Sequence, residues 1–230
     1  MKRELAKLIG RLSKHFQPTV HVLVPRMLLM FLIAKLEAEF TNPADINREL
    51  HRLGIWGGSR CLVELSKPED LRKTYPSDHN PEGVADFMEV YSILAWNWFS
   101  GHSPYFSSKI IKEENGYIIE GIVKSVESKE TFADKIETIS GVNPYYMASG
   151  GFEAATAIAF KILRVENIWW SVWRPIDKSG IIGFYIQRTI PVEKVVEVIE
   201  KEKPGFFKDV SLKDSAKFLL EYLGAKLPSF

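Results

Sequence analysis

The 230 residues carry 30 Lys and Arg against 29 Asp and Glu, a formal charge of +1, with 46% hydrophobic and 26% charged residues. That balance removes the usual electrostatic basis for nucleic acid or an anionic membrane as a general partner, since both select a basic surplus. The lone cysteine, Cys61, excludes an intramolecular disulfide and any cysteine-rich metal site, and is the usage of a reducing cytoplasm.

In chain order, Leu5, Leu8, Ile9, Leu12 and Phe16 form one helical stripe with Lys2, Lys7, Arg11 and Lys14 mostly opposite. The stripe is short and lacks Trp, so it reads as packing on its own domain or on a partner subunit, not on a membrane surface. Glu4, Lys7 and Arg11 interrupt what would have to be a signal peptide's apolar segment. From Pro25 a strongly apolar helix runs from Arg26 to about Phe40. Its longest apolar run, Met27–Ala34, falls far short of the roughly 20 residues of a membrane span. A helix this apolar around its circumference is either central or shared with another chain. Leu28, Leu29, Phe31, Leu32 and Leu36 are the expected interface.

Asn42-Pro43 caps a helix with Ile46, Leu50 and Leu53 at helical spacing, which is expected to stop at Gly54. Gly57-Gly58-Ser59 would open another through Leu62, Val63 and Leu65, and the polar stretch Lys67–Asn80 reads as a surface loop with a short helical turn. Asn80-Pro81 repeats the capping signature ahead of a stripe of Val84, Phe87, Met88, Tyr91, Leu94, Ala95 and Trp98. Asn115-Gly116 then marks a hairpin between strands over Phe106–Lys112 and Tyr117–Val123. Ser125–Asp134 reads as a loop and Lys135–Ser140 as a further short strand.

Asn143-Pro144 opens the most unusual stretch. From Ala148 to Ala159 only Phe152, Glu153 and Ile158 are large, so this helix has almost no polar face and must be buried on most sides. Two adjacent glycines in a helix, Gly150 and Gly151, cost about 1 kcal/mol each relative to Ala, so something has to approach closely, a backbone before a ligand. Val165–Trp173 and Ile181–Thr189 form the second hairpin. The tail adds helices over Pro191–Lys201, with Val195, Val198 and Ile199 inward, and Ser211–Gly224, with Ser211 and Asp214 as a capping box. The expected architecture is α+β, a helical layer packed on a twisted antiparallel sheet of about four strands. It divides into an amino-terminal helix and linker (1–24), a core domain (25–190) and a carboxy-terminal helical extension (191–230).

Candidate chemistry is sparse. His15, His21, His51, His79 and His102 are scattered, Gly54-x-x-Gly57-Gly58 lacks the Lys-Ser/Thr end of a phosphate loop, and no Gly-x-Ser-x-Gly elbow occurs. No catalytic group, metal or cofactor is expected. Glu153, mid-helix among small apolar residues, needs a partner, for which Arg60, Arg164 and Arg188 are candidates; an ion pair holding the helix outweighs catalysis. Cys61 reads as a small hydrophobe ahead of a nucleophile. A ligand, if one enters, is an apolar small molecule or acyl chain beside Trp56, Phe87, Trp98, Met147, Gly150, Gly151 and Ala154. Having only two glutamines, Gln17 and Gln187, is a bias seen in proteins from hot environments.

Several motifs carry a resemblance. They are Leu36-x-x-Glu39-Phe40, Asp45-Ile46-Asn47-x-x-Leu50-x-x-Leu53-Gly54, Gly58-x-Arg60 with Glu64, Asn143-Pro144-Tyr145 leading into Ser149–Ala155, and Gly183-Phe184-Tyr185-Ile186. In this order, between Leu28 and Thr189, the chain resembles the small subunits of the TRAPP tethering complex and the related 4-vinyl-reductase-type ligand-binding domains. The resemblance implies helices against a twisted antiparallel sheet, dimerisation through helices, and a binding or assembly role as a homodimer or with related subunits. The cysteine that carries an acyl chain in the tethering subunits has no counterpart in Lys67–Tyr75, and Cys61 stands directly after Arg60. The expected function is a non-enzymatic dimeric module. The alternatives are a sensor of an apolar small molecule and an enzyme using Glu153 or Cys61.

Overall fold

The computed structural model describes residues 23–61, 68–100, 104–125, 136–177 and 179–224. The amphipathic stripe of Leu5–Phe16, the expected helical residues 62–65, and the side chains of Cys61 and Trp98 lie outside that description. Among the described residues seven helices and four strands follow one another: α1 (Leu23–Glu39), α2 (Pro43–Cys61), α3 (Pro68–Thr74), α4 (Pro81–Ser100), β1 (Tyr105–Glu113), β2 (Gly116–Lys124), α5 (Tyr145–Leu163), β3 (Trp169–Pro175), β4 (Gly180–Gln187), α6 (Val192–Glu202) and α7 (Leu212–Leu223). No described helix is long and apolar enough to cross a membrane.

Each Asn-Pro pair caps its helix. Asn42 Oδ1 accepts from the Ala44 N–H at 3.1 Å, Asn80 Oδ1 from Gly83 at 2.7 Å and Asn143 Oδ1 from Tyr145 at 3.0 Å. Ser211 and Asp214 form the expected capping box, and Gly224 closes α7 in the left-handed conformation.

The sheet runs β1-β2-β4-β3, antiparallel throughout. Strand alternation sends Ile119, Val123, Trp169, Trp173, Ile181 and Tyr185 toward α4 and α5, and Ile118, Trp170, Val172, Ile182, Phe184 and Ile186 toward α6. Paired Gly121 and Gly183 leave room on the first face. A Cβ at Gly121 would stand 2.4 Å from Met88 Cε, and one at Gly183 2.2 Å from the Trp173 ring. α2 stacks behind α5, and α7 packs against α2. The α+β architecture, helices on a four-stranded antiparallel sheet, is therefore the one the sequence implies. α5 is its interior element, with every residue from Ser149 to Thr156 buried.

Four local expectations need correction. α2 does not stop at Gly54; it runs unbroken through Gly54, Gly57 and Gly58, because contact with α5 offsets the weak helix propensity of glycine. The first hairpin turns at Glu114-Asn115, with Gly116 already paired to Glu113, one position earlier than the Asn-Gly signal implies. Residues 136–140 join no strand: Ile136 is buried beside α1, and the Ile139 N–H donates to Glu37 Oε1. β3 begins at Trp169 because Arg164 adopts a left-handed conformation (φ 61°) and the Val165 N–H returns to Phe160 O, so these residues terminate α5 instead. The tail from Pro191 to Gly224 supplies the cover for the second sheet face and shares its core.

Candidate functional site

The polar centre of the molecule grows out of the α2–α5 contact. Backbones approach so closely there that a Cβ at Gly150 would lie 2.1 Å from His51 O, and one at Gly54 2.1 Å from Met147 O. Gly58 faces Gly151 in the same way, at 2.8 Å from its Cα. What comes close to the paired glycines is thus a neighbouring helix backbone. That approach drives the side chains flanking the glycines together, and His51 Nε2 meets Glu153 Oε2 at 2.5 Å with both side chains 0% exposed.

The third member is Arg174, the one charged residue of β3 and 1% exposed. All five of its N–H donors are engaged. Nε and Nη2 donate to Val210 O at 3.2 and 2.9 Å, Nη2 also to Ser215 Oγ at 2.7 Å, and Nη1 to Trp173 O at 2.5 Å and Glu153 Oε2 at 3.3 Å. The guanidinium also lies 5.4 and 5.8 Å from the Phe206 and Phe207 ring centres. One side chain thereby ties β3 to α5, to the loop before α7 and to α7 itself. This is the arrangement a buried charge requires, with a counter-ion and every donor satisfied.

Burial is the largest influence on His51 and lowers its pKa; Glu153 opposes that shift and Arg174 adds to it. A neutral ring donating from Nε2–H to Glu153 accounts for the short contact; Arg174 Nη1, 3.1 Å from the same nitrogen, is then a neighbouring donor to that carboxylate, and Nδ1 is left as a bare acceptor without a partner, alongside Glu153 Oε1. Burial likewise lowers the Arg174 pKa, with Glu153 the chief opposing influence.

Arg174 also forms part of a cleft of about 340 Å³ between the start of α5, the end of β3 and the loop from Lys203 to Asp209. Asn47, 1% exposed, anchors its floor: Nδ2 donates to Gly141 O at 2.8 Å and to Asp209 Oδ2 at 2.9 Å, and Oδ1 accepts from the Asn143 N–H at 2.9 Å. Tyr146 donates to the same Asp209 oxygen at 2.8 Å, and burial, with Asp209 beside it, raises its pKa far enough to keep the hydroxyl a donor.

No family model matches this chain, and no curated protein matches it.

The residues expected around a ligand are dispersed. Trp56 is exposed under the Arg60 guanidinium; Phe87 is buried, stacked on Tyr91 and edge-on to Tyr75. Met147 packs with the α1 cluster, Ala154 with Ile55, Phe218 and Leu219, and Gly150 and Gly151 face α2. The cleft is lined by none of them. Of the expected interface residues, Leu28 and Phe31 are 66% and 74% exposed, Leu32 is half-buried, and Leu29 and Leu36 are inside against Ile46 and Leu50. Met27 and Met30 join the outward face at 67% and 46%. Glu153 pairs with none of the arginines expected for it. Among the described residues no group of three or more His, Cys, Asp and Glu could hold a metal.

His51, Arg174 and Asp209 belong to the candidate site, and the sequence reading gave none of them a role there. A signal existed for Arg174. β3 and β4 are apolar on both faces, so both faces must be covered and any charge between them buried. His51 and Asp209 carry no comparable mark.

Proposed function

We propose that the chain is a non-enzymatic binding and assembly module that joins a second copy of itself through the outer face of α1. The observation that carries this reading is the exposure of Met27, Leu28, Met30 and Phe31 on a helix whose opposite side, Leu29, Ile33 and Leu36, is already spent on the core. Four large apolar side chains within five consecutive residues of one helix make a patch of the kind that marks an interaction surface. The order of elements and the resemblance to TRAPP small subunits, which dimerise through helices, support the same reading. So does the enclosure of Glu153, whose Oε2 is held by His51 and Arg174 and whose side chain is 0% exposed. The single cysteine and balanced charge suit a cytoplasmic setting.

Size exclusion with light scattering at low micromolar concentration tests the proposal. The expected mass is twice the 26.3 kDa of the chain. A single species at the chain mass overturns self-assembly.

A further inference from the structure

The cleft beside Arg174 has no part in the assembly reading, and its chemistry is specific. Asp209 presents a carboxylate whose Oδ2 is held by Asn47 and Tyr146, while its Oδ1 receives no hydrogen bond among the described residues. A carboxylate fixed at one oxygen and free at the other is oriented toward whatever occupies the cleft. Lys203 and Lys208 stand on the wall formed by the loop, and neither makes an ion pair among the described residues. Arg174, the remaining cation of the lining, is already neutralised by Glu153 and has no donor left. Asp177, whose Oδ1 accepts from the Ser179 N–H at 2.7 Å, adds a second carboxylate to the lining, and Val142, Ile176 and Phe206 add apolar surface.

The wall bearing the lysines is preformed. Glu200 accepts from the Gly205 N–H at 2.7 Å with one carboxylate oxygen and from Phe207 at 3.0 Å with the other, and Phe206 packs edge-on against both Phe184 and Phe207. A wall already ordered does not charge its ordering entropy to the ligand.

These features discriminate between ligand classes. A simple anion would meet the carboxylates of Asp209 and Asp177, and a simple cation would meet the lysines Lys203 and Lys208; a molecule carrying both charges suits both. The volume, about 340 Å³, lies at the small end for ligand pockets. We propose that the cleft binds a zwitterion of amino-acid size, its ammonium on Asp209 Oδ1, its carboxylate on Lys203 and Lys208, and its apolar part against Val142, Ile176 and Phe206.

Thermal shift followed by calorimetry on the full chain tests this. The probes are free L-amino acids, with acetate and methylammonium as singly charged controls. At least one free amino acid should raise the Tm saturably with concentration. N-acetylation or amidation of that amino acid, each removing one charge, should weaken binding at least tenfold. So should Asp209→Asn and Lys208→Glu; the second lies at an exposed position and keeps the test decisive if the first fails to fold. Absence of a saturable shift with every free amino acid overturns the proposal. Equal binding of the blocked derivatives, equal stabilisation by either control ion, or indifference to Lys208→Glu does so as well.

Discussion

Two of the described helices, α1 and α5, are largely apolar around their circumference, and they meet opposite fates. α5 is built from Gly, Ala and Ser where it crosses the molecule, and its own chain covers it on every side: α2 along the glycines, the sheet beneath, α7 at its flank. α1 is built from Leu, Met and Phe; half of it enters the core while Met27, Leu28, Met30 and Phe31 stay outside. Small residues let backbones close to contact distance, which suits a helix surrounded by fixed neighbours. Large flexible residues fill a surface whose partner arrives separately. Absence of a polar face thus has two physical meanings, and side-chain volume separates them.

The largest expected effect breaks the interior side of this contrast. Arg174→Met leaves Glu153 buried without a counter-ion and strands Ser215 and Val210 O, and should cost ~3–5 kcal/mol of stability, measured by denaturant titration. Adding Glu153→Leu should recover part of that loss. A cost below ~1 kcal/mol for the single variant would mean that the charge cluster does not hold β3 to the helices.

Next in size are the close approaches. Gly150→Ala and Gly54→Ala each place a methyl group 2.1 Å from a carbonyl oxygen of the facing helix, so each should destabilise by ~1–3 kcal/mol despite the better helix propensity of Ala. Gly57 sharpens the comparison. It lies on the same helix, and a methyl group added there would meet nothing within 4 Å, so Gly57→Ala should stabilise by ~0.5–1 kcal/mol.

How far the sequence reaches is visible in these same residues. The burial of α5 was legible because a run from Ala148 to Ala159 with one charge has no solvated side. So was the need of Glu153 for a partner. The partner itself was not legible. Arg60, Arg164 and Arg188 are as basic as Arg174, but Arg60 lies over Trp56 and Arg164 terminates α5, while Arg188 lies beside Glu166. Arg174 becomes the counter-ion only because the loop before α7 supplies Val210 O and α7 supplies Ser215. That is a long-range fact, absent from local periodicity. The helix break expected at Gly54 failed for a related reason. Glycine signals termination locally, whereas here it serves a contact with a segment about ninety residues away in sequence.

A smaller effect is pH dependence. The folded-state pKa of His51 lies below its ordinary value of 6.5 because of burial, so the unfolded chain takes up the proton first. The contribution of His51 is therefore fully present above pH 6.5 and is lost as pH falls from there toward its folded-state pKa. Stability measured from pH 8 to pH 5 should show a steeper acid slope for the native chain than for His51→Asn, and identical slopes would remove the buried neutral ring from the account.

The outer face of α1 carries the central claim, and sedimentation equilibrium of the full chain beside its Leu28→Glu/Phe31→Glu variant tests it most directly. The native chain should sediment as a dimer of 26.3 kDa protomers and the variant as a folded monomer with an unchanged circular dichroism spectrum. A monomeric native chain, or a variant that dimerises as tightly as the native one, would contradict the account.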